Sequence, residues 1–240
     1  RLVKCCNCNL QFRIPTDTLK SNKKFYQKNY KEKGLTTDLP TINDLQTFIK
    51  NDFKDSEKDA SFHIAIIEKI INKSNIKIVD YGANWGYTTY QFIKAGFHTQ
   101  SYEISKSRSN YGNQNLRLNI KSHINEIDLN NDCFYTSHVI EHVPDLAFFF
   151  KAAKRLLTKT GMVYILCPNG SIDFRKKHPA LFSKLWGYVH PNFISADFVI
   201  KNFKKNPFFI SSYPYDIDAI TSWDTSSQQV NHLNGTELMI

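Results

Sequence analysis

The chain has 240 residues, of which 41% are hydrophobic and 22% are charged, and this composition excludes a disordered protein. The length allows one α/β domain with a substantial core, and no apolar run approaches the roughly 20 residues of a transmembrane helix. The net charge of +9 favours acidic partners, such as nucleic acid, nucleotide sugars, phospholipid carriers or an anionic membrane surface.

The cysteines indicate a reduced, cytoplasmic setting. Five cysteines do not make a disulfide scaffold at this length, and Cys133 and Cys167 lie in predicted central strands, where cysteine packs as a small hydrophobic residue. No signal peptide opens the chain. Because the sequence begins without Met, we also expect other domains of a longer chain as partners.

Residues 1–60 are predicted to form a small N-terminal extension ahead of a domain over residues 61–240. Cys5, Cys6 and Cys8 supply one C-x-x-C pair, whereas a zinc ribbon needs two pairs to provide four ligands. We therefore expect no zinc site on this chain. Aromatic residues at positions 25, 26 and 30 predict a surface helix that packs on the sheet, and helical apolar spacing predicts two further helices within 45–53 and 62–71.

The chain is organised around residues 76–96, which predict a strand, a glycine turn and a helix. Ile76–Val79 is an apolar run, Gly82 and Gly86 break it, and a helix follows over 87–95. In open parallel sheets, this unit forms a crevice that binds nucleotide-like ligands. A dinucleotide fingerprint would need glycine at positions 84 and 87, where this chain has Asn and Tyr, and no P-loop Gly-Lys-Ser/Thr follows.

Two acids end neighbouring predicted strands. Asp80 ends the first strand, where a carboxylate repels a pyrophosphate and suits a ligand that carries positive charge. Glu103 lies at the end of a second predicted strand over 98–104, roughly 20 residues beyond the first motif, as a βαβ unit requires. A carboxylate there can accept both hydroxyls of a ribose. If the ligand is an adenine nucleoside, the tip of a third predicted strand over 120–124 would face its adenine base.

A polar cluster follows the fourth predicted strand, Cys133–Ser137. His138, Glu141 and His142 would lie at the carboxyl edge of the sheet, where titratable groups are the expected acid–base residues. A metal site is the competing interpretation, because a Glu-His pair can also ligate Mg²⁺ or Zn²⁺.

The later elements follow from periodicity and from turn residues. Apolar spacing predicts a helix over 146–157 that Gly161 ends, and the fifth strand is predicted over 162–167. Ser195 is predicted to cap a helix that continues to Phe203. Strands over 208–213 and 237–240 are predicted antiparallel partners.

Residues 170–196 form an insertion before the last predicted helix. It contains Trp186, His190 and Phe193. The two aromatic rings suit stacking on a sugar face as well as packing within the insertion, and the sequence does not decide between these roles.

The run Asp80–Gly86 resembles the first motif of the class I S-adenosylmethionine-dependent methyltransferases, D/E-x-G-x-G-x-G, with Asn84 in place of the middle glycine. Asparagine is among the few residues that tolerate positive φ, so the loop can form. The pattern H-V-x-E-H-V-P-D over 138–145, an amphipathic helix ending in Arg-Leu-Leu, a glycine, a strand and Pro-Asn resembles a subgroup that includes sugar, ubiquinone and lipopolysaccharide-type methyltransferases. The resemblance covers residues 76–169.

This resemblance implies a single α/β domain with a doubly wound, mostly parallel, seven-stranded sheet of the Rossmann-like class I methyltransferase type. The implied cofactor is S-adenosylmethionine, which becomes S-adenosylhomocysteine. The residues implied to bind it are Asp80, Gly82, Ala83, Asn84, Gly86, Glu103, Ile104, Ile124 and Ser137. The N-terminal aromatic segment would cover the cofactor, and the insertion at 170–196 would form the lid over the acceptor.

The implied reaction is methylation of a sugar hydroxyl in a glycan or nucleotide sugar. His142 would take the acceptor proton, Glu141 would orient its ring, His138 would line the pocket, and His190 is a secondary catalytic candidate. A divalent ion, which the equivalent segment helps to hold in ubiquinone-type relatives, ranks second to this interpretation.

Two alternatives remain open at the level of sequence. One is an RNA or small-metabolite methyltransferase, although no RNA-binding motif or concentrated basic stripe supports nucleic acid as a partner. The other is a methyltransferase-like binding domain without activity, against which the intact Asp80, Glu103 and Glu141-His142 argue.

Overall fold

The computed structural model describes residues 1–28, 38–185 and 189–240 of the chain. Tyr30 and Trp186, which the sequence suggested as packing or stacking aromatics, lie outside these described residues. Among the described helices, none combines the length and the apolar character that crossing a membrane requires.

Helices and strands alternate through most of the chain. The described residues contain ten α-helices, numbered α1 to α10 in chain order: Leu19–Lys28, Ile42–Lys50, Ser61–Ile71, Tyr87–Lys94, Lys106–Asn115, Leu146–Leu156, Ile172–Lys177, Pro179–Leu185, Ala196–Asn202 and Ile217–Thr221. They also contain eleven strands, β1 to β11: Leu2–Lys4, Gln11–Arg13, Lys77–Tyr81, His98–Tyr102, Ile120–Lys121, Asn131–Ser137, Leu157–Pro168, Asn192–Phe193, Phe208–Ser212, Gln228–Val230 and Glu237–Met239.

Eight strands form one sheet in the order β10-β9-β11-β7-β6-β3-β4-β5. Strand β3 is parallel to β4 and β6, β4 is parallel to β5, and β11 is antiparallel to both β7 and β9. The predicted Rossmann-like, mostly parallel sheet is therefore confirmed, as is the antiparallel pairing of the last predicted strand. The sheet has eight strands rather than seven because β10, which the sequence analysis did not identify, pairs in parallel with β9.

The chain divides into two compact units. The first unit contains Arg1–Asn22, Thr136–Phe150 and Val163–Ile240, and the second unit contains Lys23–Tyr135 and Lys151–Met162. Both units draw on separated segments of the chain, and the predicted boundary of the N-terminal extension at residue 60 stays a prediction.

The second unit is built around β3 and the loop that follows it. Ile78 and Val79 of β3 are fully buried, which explains why the apolar run forms a central strand. Trp85 in the loop is also fully buried, and it packs against Leu45 and Phe53. These contacts fix the start of α4 directly after the loop.

Helix α5 packs closely against the same loop. A Cβ atom on Gly112 would lie 2.4 Å from the carbonyl oxygen of Trp85, so only glycine permits this approach. Strand β5 is shorter than the strand predicted over 120–124, because the chain turns after Lys121 and Ile124 begins a single turn of 3₁₀ helix.

The prediction that Gly161 ends the helix before β7 is wrong. Helix α6 ends at Leu156, and Gly161 lies inside β7. The side chain of Asn131 donates to the carbonyl of Leu156 at 2.9 Å and so satisfies the helix end. Glycine at position 161 instead allows a close approach to the neighbouring strand, since a Cβ there would lie 2.9 Å from the carbonyl oxygen of Asn131.

The first unit contains a second, small sheet and an aromatic cluster. The small sheet has the order β1-β2-β8 and is antiparallel. Phe193 of β8 stacks on Phe182 with ring centroids 5.5 Å apart, and Phe174 and Leu2 complete the cluster. Phe193 is buried, so of its two predicted roles the structure supports packing within the insertion. Ser195 caps α9 as predicted, by accepting the N–H of Phe198.

We predict that Gly112→Ala destabilises the protein, although alanine is the better helix former. Helix propensity favours alanine by about 1 kcal/mol, whereas forcing a methyl group against the Trp85 carbonyl costs about 1–3 kcal/mol. Denaturant unfolding should show a net loss of about 1 kcal/mol. Asn110→Ala, at an exposed position of the same helix, is the control and should be neutral or slightly stabilising. A stabilised Gly112→Ala variant would contradict the close approach.

Candidate active site

Glu103 follows β4, and both oxygens of its buried carboxylate accept backbone hydrogen bonds. Oε2 accepts from the N–H of Asn84 at 2.8 Å, and Oε1 accepts from the N–H of Ser105 at 2.7 Å. Burial raises the pKa of Glu103 to about 7, and the two N–H groups and the charge of Arg108 oppose this rise. Each oxygen has a second lone pair, so the carboxylate can also accept hydroxyl groups of a ligand.

Asp80 lies in β3 and is buried as well. Its Oδ2 accepts the hydroxyl of Thr89, in the first turn of α4, at 2.7 Å. Burial raises the pKa of Asp80 to about 6, and hydrogen bonds from the hydroxyl and backbone of Thr89 oppose this rise. The charge of Asp80 in turn raises the pKa of Glu103. Two interacting carboxyl groups of this kind disfavour an anionic ligand and suit a cationic one.

The loop over 82–86 has left-handed backbone at three positions. The φ angles are 84° at Gly82, 55° at Asn84 and 84° at Gly86. The N–H groups of Gly82 and Ala83 both donate to the carbonyl of Tyr102, at 2.8 and 3.0 Å. Asn84 adopts the positive φ that its place in the motif requires. Asp80, this loop and Glu103 are therefore brought together, as the sequence predicted.

Three other residues implied to bind the cofactor lie at strand ends or just beyond them. Ile104 follows Glu103, and its carbonyl accepts the side-chain amide of Gln27 in α1 at 2.6 Å. Ile124 lies in the 3₁₀ turn that follows β5. Ser137 ends β6 in the first unit, directly before His138. Their contact with a cofactor stays a prediction.

In the first unit, His138 lies between two carboxylates. Its Nε2 is 2.5 Å from Oε2 of Glu237, and its Nδ1 is 3.7 Å from Oε1 of Glu141. Burial lowers the pKa of His138, but the close contacts with the carboxylates of Glu141 and Glu237 and their charges outweigh burial and raise this pKa above its usual value. Half of the side chain is exposed, so solvent screens part of this effect. His138 is thus held as a cation, which does not suit a proton acceptor.

His142 has the opposite character. Burial, together with the charges of His190 and His138, lowers its pKa to about 4 against the opposing charge of Glu141, so the ring is neutral at pH 7. Its Nδ1 is 3.0 Å from the carbonyl oxygen of Val189. Because a carbonyl only accepts, Nδ1 carries the proton and Nε2 carries the lone pair.

The prediction that Glu141 orients the ring of His142 is wrong, because no hydrogen bond joins the two side chains. Oε1 of Glu141 is 3.9 Å from Nε2 of His142, which is longer than a hydrogen bond. The ring of His142 is oriented instead by Val189, and its edge-to-face contact with His190 has a ring-centroid distance of 4.4 Å.

Glu141 is a buried carboxylate that remains ionised. Burial raises its pKa, but the contact with the cationic His138 and the proximity of the other two histidines bring it below its usual value. Its Oε2 is buried and makes no hydrogen bond within the part of the chain that the structure describes. Such an atom is costly to bury, so a bound group that donates to it or coordinates it would be stabilised.

Glu141, His142 and His190 could share one divalent ion. Their ligand atoms all lie within 4.8 Å of one another. A carboxylate oxygen and two imidazole nitrogens form a ligand set that several divalent transition metals accept. The carbonyl of Val189 would then be the outer partner that fixes the tautomer of one ligand.

The predicted zinc half-site lies in the turn between β1 and β2. Cys5, Cys6 and Cys8 are free thiols there. Hydrogen bonds involving Cys8 and the backbone of Asn7 lower the pKa of Cys5. The absence of a zinc ion stays a prediction.

Three residues that contribute to these sites were not predicted from the sequence. Arg108 donates to Oδ1 of Asn84 at 2.6 Å, Glu237 bonds to His138, and Val189 orients His142. Glu237 also accepts the hydroxyl of Tyr215. The only signal that pointed to any of them was Asn84, because an amide in place of a glycine brings a polar side chain that needs a partner.

Comparison with known proteins identifies the fold and a family. A family model described as a methyltransferase domain matches residues 57–211. No curated protein sequence matches the chain. Among solved structures, an S-adenosylmethionine-dependent methyltransferase from Clostridium acetobutylicum ATCC 824 has a TM-score of 0.53 at 12% identity, over 82% of this chain and 96% of its own.

Two further structures are similar to a lesser degree. A TehB-like SAM-dependent methyltransferase from Corynebacterium glutamicum ATCC 13032 has a TM-score of 0.50 at 13% identity, over 82% of this chain and 94% of its own. The glycopeptide N-methyltransferase MtfA, complexed with sinefungin, has a TM-score of 0.41 at 12% identity, over 49% of this chain. The chain spans 57% of the length of MtfA. At these identities, the likeness to the two methyltransferases with TM-scores of 0.53 and 0.50 shows the fold.

We predict that Glu237→Gln lowers the pKa of His138 by removing one of its two carboxylate partners. In the unmodified protein this raised pKa contributes stability that is present below the usual histidine pKa of about 6.5 and is lost as pH rises through the raised value. NMR titration of the His138 ring should show the shift, and the stability difference between the two proteins should shrink at alkaline pH. Tyr215→Phe, which keeps the charge of Glu237, is the control and should shift the pKa less. Identical titrations in Glu237→Gln and the unmodified protein would contradict the pairing.

Proposed function

The chain belongs to the methyltransferase domain family and is a class I S-adenosylmethionine-dependent methyltransferase, and we propose that it methylates a sugar hydroxyl, in a glycan or a nucleotide sugar. The proposal is supported above all by His142, a neutral imidazole whose proton is fixed on Nδ1 by Val189, so that Nε2 can accept a proton.

The residues around Glu103 fit the cofactor. S-adenosylmethionine supplies a methyl group activated on a sulfonium, and it carries positive charge and no phosphate. Glu103 can accept the ribose hydroxyls with the lone pairs that its backbone hydrogen bonds leave available. Asp80 favours the cationic methionine end of the cofactor. The left-handed residues of the loop over 82–86 would let its backbone approach the cofactor closely.

His142 is the residue that we propose takes the acceptor proton. A sugar hydroxyl is a weak nucleophile until its proton begins to leave, so a positioned base contributes about 10²–10⁴-fold. The low pKa of His142 keeps its lone pair available, and the charge of Glu141, 3.9 Å from Nε2, stabilises the imidazolium as it forms. The cationic His138 supplies a hydrogen-bond donor and not a base.

The insertion over 170–196 is proposed as the acceptor lid. Its helices α7 and α8 border a cavity of about 330 Å³, lined by Leu2, Arg175, Phe182 and Ser183. Arg175 lies over the Phe182 ring at 5.6 Å from its centroid. The guanidinium of Arg175 suits an acceptor that carries an anionic group, as a nucleotide sugar does.

A metal-dependent reaction is the second candidate, favoured by the grouping of Glu141, His142 and His190. The same Nε2 of His142 would then be a ligand. A methylation screen over nucleotide sugars, oligosaccharides and RNA with labelled cofactor would identify the acceptor, and calorimetry with the cofactor would reveal a domain without activity.

Glu103→Ala should weaken S-adenosylmethionine binding because it removes a charge-assisted contact worth about 1.5–3 kcal/mol, or roughly 10- to 150-fold in Kd. Calorimetry provides the measurement. Glu68→Ala, an exposed acid on α3, is the matched control and should bind normally. Unchanged affinity of Glu103→Ala would exclude Glu103 from the ribose site, and tight binding of NAD in place of S-adenosylmethionine would contradict the whole proposal.

His142→Ala should lose roughly 10²–10⁴ in kcat while it still binds the cofactor. The exposed His98 provides the control variant His98→Ala, which should keep normal kcat. Turnover should also resist a chelator if His142 acts as a base. Activity that a chelator abolishes and Mg²⁺ or Zn²⁺ restores would favour the metal-dependent reaction instead, and near-normal kcat in His142→Ala would make His190 the next candidate.

A further inference from the structure

We propose that Arg108 is a positioning residue for the cofactor, which holds Asn84 in the left-handed conformation that its place in the loop over 82–86 requires. Arg108 and Asn84 would then act as a pair that replaces the middle glycine of the motif. The inference rests on the proposed binding of the cofactor by this loop and by Glu103.

The first support is the hydrogen bond between the two side chains. Asn84 has a φ of 55°, and its Oδ1 accepts Nη1 of Arg108 at 2.6 Å. Left-handed backbone is unfavourable for a residue with a side chain, although less so for asparagine. A hydrogen bond to a charged group is among the stronger hydrogen bonds in a protein. The contact with Arg108 is therefore large enough to hold a conformation that glycine would adopt without help.

The second support is the hydrogen bond that the left-handed conformation of Asn84 allows its backbone to make. The N–H of Asn84 donates to Oε2 of Glu103 at 2.8 Å. Asn84 thus links Arg108 on one side to the proposed ribose acceptor on the other. If the backbone of Asn84 rotated, Glu103 would lose one of the two N–H groups that hold its carboxylate in place.

The third support is burial. Only 3% of Arg108 is exposed, and a buried guanidinium must be compensated by acceptors and by opposite charge. The carbonyl oxygen of Asn84 provides an acceptor, and the Glu103 carboxylate provides the charge. Glycine at position 84 would remove that acceptor.

The fourth support is the rigidity of the element that carries Arg108. Gly112 follows Arg108 by one helical turn on the same face of α5. It lies so close to the carbonyl of Trp85 that no Cβ would fit. Helix α5 therefore touches the loop at two consecutive residues, Asn84 and Trp85, and this double contact fixes where the guanidinium lies.

Arg108 also acts on the charge of Glu103. Burial raises the pKa of this carboxyl, and Asp80 raises it further, whereas Arg108 and the N–H groups of Ser105 and Asn84 lower it. Tyr81 and Tyr102 also face Glu103, but their own pKa values are raised, so they stay neutral near pH 7. Loss of Arg108 would therefore protonate Glu103 at a higher pH and weaken its acceptance of hydroxyl groups.

A double-mutant cycle tests the pair. Binding of S-adenosylhomocysteine is measured by calorimetry for the unmodified protein, Arg108→Met, Asn84→Gly and the double variant, with thermal melting to verify folding. We expect Arg108→Met to weaken binding about tenfold, Asn84→Gly to weaken it less because glycine adopts the left-handed conformation without help, and the double variant to bind more tightly than Arg108→Met. Arg117→Met, an exposed arginine just beyond α5, is the matched control and should bind normally.

Two results would overturn the inference. One is normal affinity in Arg108→Met, and the other is a double variant whose loss equals the product of the single losses. If Arg108→Met does not fold, Arg108→Gln, which removes the charge but keeps a polar side chain, takes its place in the cycle under the same criteria. Failure of the unmodified protein to bind S-adenosylhomocysteine would contradict the proposed function, whereas normal Arg108→Met binding beside weakened Glu103→Ala binding would contradict only the role of Arg108.

The pH dependence separates positioning from a general loss of structure. Affinity of the unmodified protein for S-adenosylhomocysteine should fall as pH drops below the Glu103 pKa of about 7. Arg108→Met should move this fall to higher pH, because Glu103 loses a cation. Asn84→Gly, which keeps that cation, should move it less. A pH profile that does not move in Arg108→Met would overturn the electrostatic part of the proposal.

Discussion

The buried carboxylate of Glu103 constrains the arrangement of the second unit. An ionised carboxylate in a desolvated site is stable only if hydrogen bonds compensate for the lost water. Glu103 obtains them from the backbone of Asn84 in the loop and of Ser105 at the start of α5. The end of β4, the loop after β3 and the first turn of α5 must therefore keep one mutual arrangement, which is the arrangement that a nucleoside-binding crevice needs.

The first unit also contains a buried carboxylate, but a different kind of group compensates its charge. Its buried carboxylate, Glu141, is compensated by a histidine cation instead of by backbone N–H groups. That cation, His138, depends on Glu237, which the last strand of the sheet brings to it. Antiparallel pairing of β11 with β7 sets this position, since Glu237 lies opposite Pro168 in the register. The charge of His138 thus depends on a residue from a strand far along the chain.

The sequence predicted what local patterns determine. Apolar periodicity, glycine turns and caps located most helices and strands, and the spacing of Asp80 and Glu103 predicted that they would meet at one edge. What it missed are pairings between distant segments: Asn131 on the end of α6, β10 beside β9, Glu237 on His138 and Arg108 on Asn84. Gly161 shows the reason, because a glycine required by a neighbouring strand looks the same in sequence as one that ends a helix.

The two histidines of the H-x-x-E-H motif illustrate the same limit at the level of chemistry. His138 and His142 are four residues apart and have the same side chain, yet the pKa of one is raised and that of the other is lowered. Two carboxylates surround the first, whereas burial dominates the second. A lone pair on Nε2 of His142 suits a proton and a metal ion equally well, so this ring alone does not choose between the two reactions. Glu141 does not discriminate between them either, since its buried Oε2 would be compensated by a bound ion and equally by a hydroxyl of the acceptor that donates to it.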